Sequence, residues 1–411
     1  MSEWFWNEWF WLPHGYTWDD LKSTTEINYP SASELLVWPP LIAVALLCIR
    51  QLILIPLVFR PLGKYYGIRS KPYMPPVHNE KLDKLYSINR ARPPRQMLEK
   101  SASDLGMSSR QVERWLRRKT LSQQMTTLEK FTDHGWQVTY YSIYCIAGLV
   151  IVTSKPWYVD NMKVFENYPV QNIPTDIWWY YMTAIGFYIV QSVLLFKQDK
   201  KHDFYQMLAH HCFTIVILNF CWITNTVRIC ATSLLFHECS DIPLSLAKLF
   251  LYAGKLNTSN TFGAIFFLNW IPTRLYLYPM YVMRTSFYLS SLTGGSLWPA
   301  AYILQASMTG LFVLHLMWTM DIIPYVIKLF KNEKLDDPRS SPEELSDDDE
   351  TLNNNSINVH TVGLSGSKKR NDIHFFKDPL RVNGSTASLR NPPHGRNNAL
   401  DMQVHGMKVN F

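Results

Sequence analysis

"LAHHCFTIVILNFCWITNTVRICATSLLFHECSD", residues 208–241, decides how this chain is read. It is apolar enough to lie in a bilayer, yet it carries His210, His211, Arg228, His237, Glu238 and Asp241. An ionisable group at the centre of a membrane helix costs about 2.5–3.5 kcal/mol on insertion scales, so such groups face a bundle interior or a wet cavity. The stretch divides into parts of two spans, 204–224 and 227–252. In the second, His237, Asp241 and Lys248 stand at offsets 0, 4 and 11 and share one helical face, with Glu238 beside it. Arg228 lies about half a turn away and suits a contact with a neighbouring helix or the interface. His210 and His211 lie about 10 Å inside their span and Asp241 about 16 Å from the same side, at 1.5 Å per residue. The two sets can therefore meet in one cavity. Adjacent helical residues point about 100° apart, so one histidine of the pair faces inward and the other is placed to orient it.

Outward from this stretch, the 411-residue chain is 47 % hydrophobic and 14 % aromatic, while its mean hydropathy of −0.10 averages apolar blocks with polar segments. A bilayer crossing needs about 20 apolar residues. Seven blocks qualify: 36–59, 137–154, 177–196, 204–224, 227–252, 261–283 and 299–330. The expected fold is an all-α polytopic membrane protein with about seven transmembrane helices, the last six forming a bundle around a cavity. Residues 1–35 hold one basic residue, Lys22, against Glu3, Glu8, Asp19, Asp20, Glu26 and Glu34. The loop 60–136 and the stretches 196–203 and 328–334 are basic. Basic loops stay cytosolic, which puts the N-terminus in the lumen or outside and the C-terminus in the cytosol. "MSEWFWNEWFWLP" lacks the basic start of a signal peptide, and its tryptophans suit a membrane interface. Cys48, Cys145, Cys212, Cys221, Cys230 and Cys239 all fall in apolar blocks, and no loop offers a cysteine pair. Neither a structural disulfide nor a zinc site is expected.

Within the loop, "PPRQMLEKSASDLGMSSRQVERWLRRKT" (93–120) predicts two short helices around a turn at Gly106, with Ser108 or Ser109 capping the second. Arg110, Arg114, Arg117 and Arg118 give the second helix a basic face. This insert is similar to the end of a homeodomain. The homeodomain asparagine that pairs with adenine would stand three residues after Trp115, where this chain has Arg118. That change and the membrane tether argue against DNA as a partner, and leave a structural or headgroup-facing module. Beyond about residue 331 the composition predicts a disordered tail. Its acidic cluster makes Ser340 and Ser346 phosphorylation candidates. The sequons at Asn257, Asn354 and Asn383 face the cytosol in this topology and stay unglycosylated.

The histidines are too few, and lack the short boxes, for a membrane di-iron centre. No metal and no cofactor is expected. Nucleophilic or general-base chemistry needs only one histidine oriented by a carboxylate. Asp241 or Glu238 can orient it, His237 can relay a proton, and His315 is a further candidate.

At these residues the chain resembles a known family. "HHCFTIVILNFCWITNTVRICATSLLFHECSDIPLSLAK" (210–248) looks like the Lag1 motif of ceramide synthases, in the TRAM–Lag1–CLN8 (TLC) domain family. The matching positions are His210, His211, Thr214, Leu218, Asn225, Arg228, His237, Ser240, Asp241, Leu244 and Lys248. "WNEWFWLPHGYTWDDL" (6–21), the homeobox-like insert and the acidic serine cluster resemble the animal subgroup, so the likeness covers most of residues 6–350. The chain departs from the pattern at Glu238 (the family's aspartate), Ser245 (its glutamate), Cys230 (its glycine), Pro243 inside the helix, and Gly15 in place of a sequon asparagine. The resemblance implies transfer of an acyl chain from fatty acyl-CoA to the amine of a sphingoid base, in the endoplasmic reticulum membrane. It implies His210, His211, His237, Glu238 and Asp241 as catalytic, and Asn225, Arg228 and Lys248 as substrate-binding. It also implies dimers with a like chain or a related synthase among the partners, with membrane lipids. Lys197, Lys200, Lys201 and Lys255 stand where they can attract the CoA phosphates, and 284–299 is the loop tied to acyl-chain preference. The other class is a lipid-binding or cargo-handling TLC protein without catalysis, which needs the cavity but not both histidines.

Overall fold

Residues 5–330 are described by the computed structural model, apart from 25, 26, 69, 71, 72, 91, 92, 198–202 and 293–296. Lys200, Lys201, Ser340, Ser346, Asn354 and Asn383 lie outside the described residues. Their regular secondary structure is all helical, with no strand among the described residues. The first rod is α1 (Ala32–Cys48), continued through wide π-type turns (Ile49–Phe59) and a last α-helical stretch (Arg60–Tyr65). Ser31 and Glu34 start it with a capping box. Pro56 lacks the N–H that the ladder needs and crowds the preceding turn, which accounts for the widening. The insert follows as α2 (Glu80–Asn89), α3 (Arg95–Leu105) and α4 (Ser109–Gln123). Then come α5 (Thr127–Ile151), α6 (Thr175–Lys197), α7 (Phe204–Ile223) and α8 (Val227–Tyr252). The rod begun by α9 (Leu256–Trp270) widens over Ile271–Met283, where Pro272 and Pro279 fall, and closes at Arg284–Leu292. α10 (Pro299–Phe330) is last.

By length and composition, Ala32–Tyr65, α6, α7 and Pro299–Lys328 can cross a membrane. The fold is thus an all-α polytopic membrane protein. The three remaining rods, α5, α8 and the α9 rod, correspond to the other apolar blocks of the sequence. Their polar groups dilute the apolar signal, and those groups are what the bundle encloses. Within its most apolar window the first rod is 17 % buried and α6 is 61 % buried, which puts the first rod at the edge and α6 at the centre. α5 begins earlier than its apolar block, at Thr127, because Thr126 and Glu129 form a capping box there.

The main core is aromatic. Tyr144 stacks on Tyr180 with ring centroids 4.2 Å apart, and Tyr181, Phe187 and Trp222 are fully buried beside them. Arg50 of the first rod pairs with Asp133 of α5 in a nearly closed environment. Trp11, expected at an interface, is buried against Phe220 at the end of α7, with ring centroids 4.9 Å apart. One expectation is overturned: Cys145 of α5 and Cys239 of α8 form a disulfide, their Cα atoms 5.1 Å apart. The residues are 94 apart in sequence, and only the packing of α5 on α8 makes them neighbours.

The insert has a small core of Leu82, Leu85, Leu98, Ala102, Val112, Trp115 and Leu116. Gly106 takes the left-handed conformation at φ 62° that ends α3, and Ser108 with Gln111 caps α4. The hydrogen bond from the Lys119 ammonium holds the half-buried Asp83 carboxyl below the ordinary carboxylate range.

A Cβ at Gly186 of α6 would stand 2.8 Å from Ile42 Cγ2 and 3.1 Å from the Pro39 backbone oxygen. Rigid backbone cannot yield there as a flexible side chain would. Gly186→Ala is expected to destabilise the detergent-solubilised protein by about 1–3 kcal/mol, as overpacking does. An unchanged melting temperature would show that α1 and α6 are not in firm contact.

Candidate functional site

Two chambers lie inside the bundle, and His210 lines both. The wider, about 160 Å³, sits at the insert end of the rods, bounded by His134, Asp203, His210, Asp241, Lys248 and Arg274 among others. The narrower, about 30 Å³, lies deeper and is mostly apolar, with His237, Thr214, Leu218, Tyr278 and Met308 on its walls. The helix pair 204–223 and 227–252 thus brings together His210 with Asp241 in one chamber, and His210 with His237 in the other.

His211 lines neither chamber. It is buried, and the Tyr188 ring lies 6.3 Å from it and 6.4 Å from His210. Tyr188 donates to Glu238 Oε1 at 3.0 Å, and Glu238 is completely buried. Glu238 is therefore linked to the histidine pair through the ring of a tyrosine that it holds. His237 Nδ1 lies 2.7 Å from the Ser233 carbonyl oxygen. A carbonyl only accepts, so Nδ1 carries the hydrogen and the neutral ring turns the Nε2 lone pair outward. No partner meets that Nε2, nor Nδ1 of His210 and His211, nor Glu238 Oε2, among the described residues.

The carboxylate expected to orient a histidine is engaged elsewhere. Asp241 Oδ1 accepts from Arg274 Nη2 at 2.7 Å. Arg274 also donates to Ser240 Oγ at 2.8 Å and to the His237 carbonyl at 3.0 Å, and its Nη1 lies 3.4 Å from His315 Nε2. Its guanidinium stands 5.3 Å from the Trp270 ring centroid. The sequence reading missed Arg274. It stands in "NWIPTRLYLYPMY" (269–281), where two prolines break the helical period. The signal present was a lone cation inside an apolar block. His315 packs beside these groups without lining either chamber: it is fully buried, with the His237 ring 5.1 Å away.

Two motif positions sit elsewhere. Asn225 takes φ 51° in the turn between α7 and α8 and donates to the Pro169 and Gln171 carbonyls, 2.9 Å each. Arg228 donates to the Lys163 carbonyl at 3.2 Å. Both brace the connection before α6, at the end of the rods opposite the insert, and line neither chamber. Lys248 lines the wider one. No group of three or more possible metal ligands occurs among the described residues.

Residues 130–324 match the family model of the TLC domain, which gives the class: a TLC-domain membrane protein. Over 342 residues the chain is 30 % identical to ceramide synthase 5 of Mus musculus, covering 83 % of this chain and 82 % of that one. It is 29 % identical to ceramide synthase 4 of Bos taurus over 350 residues, 85 % and 88 % of the two chains. ASC1-like protein 3 of Oryza sativa subsp. japonica is 31 % identical over 209 residues, half of this chain and 74 % of the relative. This chain belongs to the ceramide synthase family.

Removing one partner of a buried ion pair costs about 3–5 kcal/mol, whereas replacing both can be neutral. Arg274→Met should therefore lower the thermal stability of the solubilised protein strongly. The double variant R274M/D241L should recover most of the loss. If the two losses simply add, Arg274 and Asp241 are not coupled as described.

Proposed function

We propose that the protein is a ceramide synthase: an acyltransferase that moves the fatty acyl group of acyl-CoA onto the amine of a sphingoid base. The observation that carries this is the position of His210 at the junction of a polar chamber and an apolar one. A thioester carbonyl placed there has its CoA on the polar side and its hydrocarbon on the apolar side. The narrow chamber is about 30 Å³, so a long acyl chain enters by displacing Met308 and Leu311 from its walls. The sphingoid ammonium is drawn to the Asp241 carboxylate in the wider chamber, and Lys248 at that chamber's rim faces the CoA phosphates.

An ammonium has no lone pair, so the amine must lose a proton before it attacks. In this proposal His237, whose Nε2 has no partner among the described residues, takes it once the amine reaches the thioester at His210. Two routes fit these positions. In one, a His210 nitrogen attacks the thioester, CoA leaves as thiolate and takes up a proton, and the amine then displaces the imidazole from the acyl-imidazole. In the other, the amine attacks the thioester directly while a histidine accepts its proton. His211, held by Tyr188 beside His210, is a positioning residue in both. Asn225 and Arg228 brace the fold and do not touch substrate. The reading places the enzyme in the endoplasmic reticulum membrane, with the N-terminus lumenal and the insert end of the rods cytosolic.

Microsomes bearing the chain are expected to acylate sphinganine with at least one member of a broad acyl-CoA panel, read by mass spectrometry. No product above a vector control would leave the lipid-binding alternative standing. His210→Ala should lower turnover by about 100-fold or more, the scale of general-base catalysis. His211→Ala should cost less. Peptide mass analysis after incubation with acyl-CoA alone separates the routes, since only the first leaves an acyl group on the protein.

A further inference from the structure

The third helix of the insert carries a surface that the chambers do not use. α4 turns Val112, Trp115 and Leu116 into the insert's core. Arg110, Arg114 and Arg117 stand at offsets 0, 4 and 7 and so share the face away from it, where all three are exposed. None of the three pairs with a carboxylate among the described residues. Glu113 is the one acidic residue of α4, and Arg118 and Lys119 add to the basic excess.

The direction of this face is marked by Leu121. At offset 11 from Arg110 it continues the same stripe, yet it is only 2 % exposed and does not belong to the insert's own core. The last turn of the basic face is thus covered by protein outside that core, while the preceding turns stay open. Gln124, Met125 and Thr126 alone separate α4 from α5. Leu128, at the start of α5, fills the space that a side chain at Gly63 would occupy, so α4 ends level with the end of the first membrane-crossing rod. On the approach to the insert, the Trp115 indole donates to the Val77 carbonyl at 2.7 Å, which leaves Met74 and Val77 exposed at 74 % and 87 %. Exposed apolar side chains and exposed arginines on one insert match a membrane interface, where apolar groups enter the headgroup layer and cations meet lipid phosphates.

We propose that the α4 face of Arg110, Arg114 and Arg117 docks on the anionic phospholipid headgroups of the leaflet where the first rod ends. Arg118 stands where a homeodomain carries the asparagine that pairs with adenine, so α4 has the charge that attracts phosphates without that adenine contact. The tether then makes the bilayer the nearest phosphate surface. Screening acts over about 8–10 Å at ordinary ionic strength, so the contact is sensitive to salt.

The test uses the full chain in nanodiscs of phosphatidylcholine alone or with phosphatidylserine, read by hydrogen–deuterium exchange over residues 109–123. Exchange is expected to be several-fold slower with phosphatidylserine. The slowing should disappear at high salt and in R110Q/R114Q/R117Q, and should persist in R110K/R114K/R117K, which keeps the charge. Equal exchange in the two lipids overturns the proposal, as does slowing that the glutamine variant retains. Duplex DNA added to phosphatidylcholine discs is the other arm: protection by DNA but not by phosphatidylserine overturns the proposal in favour of a nucleic-acid partner. No arm reads acyl transfer, so failure here and failure of the proposed reaction are separate results.

Discussion

The contact between Arg274 and Asp241 is the one on which the interior depends. A guanidinium that is 3 % exposed has lost its water and must find acceptors in protein. Asp241, Ser240 and the His237 carbonyl supply them from α8, with His315 of α10 close by. One side chain of the α9 rod thereby fixes the register of three rods. A buried ion pair is weak evidence for net stability, because desolvation offsets most of its attraction. What it supplies here is position. By taking the backbone oxygen of His237, Arg274 sets the turn that presents that histidine to the narrow chamber.

Once the framework contacts are drawn, the remaining polar atoms stand out. Buried polar groups are normally satisfied, so those that are not need a reason. Among the described residues His210 Nδ1, His237 Nε2 and Glu238 Oε2 have no partner, and two of the three belong to residues that line the narrow chamber. Glu238 is different. Its second oxygen is unmet, but its first is held by Tyr188, whose ring flanks the His210–His211 pair. Where the family pattern has aspartate, the extra methylene of glutamate lengthens the arm by which α8 reaches a tyrosine of α6. The departure noticed in the sequence is therefore spent on reach, in a pocket closed to solvent.

Most of the helices were legible in the sequence, because apolar length is a property of one segment. The caps at Ser108 and the turn at Gly106 were legible for the same reason. The facing of His210 toward His237 and Asp241 followed from depth and offset alone. What was not legible depends on pairs of helices. Arg274 drew no reading because its partners lie on other rods. The Cys145–Cys239 bond required knowing that α5 packs on α8. Of the two carboxylates expected to orient a histidine, Asp241 meets Arg274 and Glu238 meets Tyr188, partners that again lie on other rods. Asn225 could have been read correctly, since asparagine tolerates positive φ in a tight turn. Its place in a motif rich in site residues drew it to the site instead.

That last case separates two kinds of polar residue inside a membrane bundle. Asn225 and Arg228 spend their donors on backbone carbonyls of a connecting segment. No donor valence is directed into a chamber, and their effect is to close one end of the bundle, where the Tyr168 hydroxyl also meets the Thr224 carbonyl at 2.9 Å. His210 and His237 line the narrow chamber, and each keeps a ring nitrogen without a partner among the described residues. The stretch 208–241 holds both kinds because it runs down α7 and back along α8, through the closed end and past the reacting depth twice. Fixed residues in such a run need not share a role: Asn225 and Arg228 hold the turn, while His210 and His237 line the chamber.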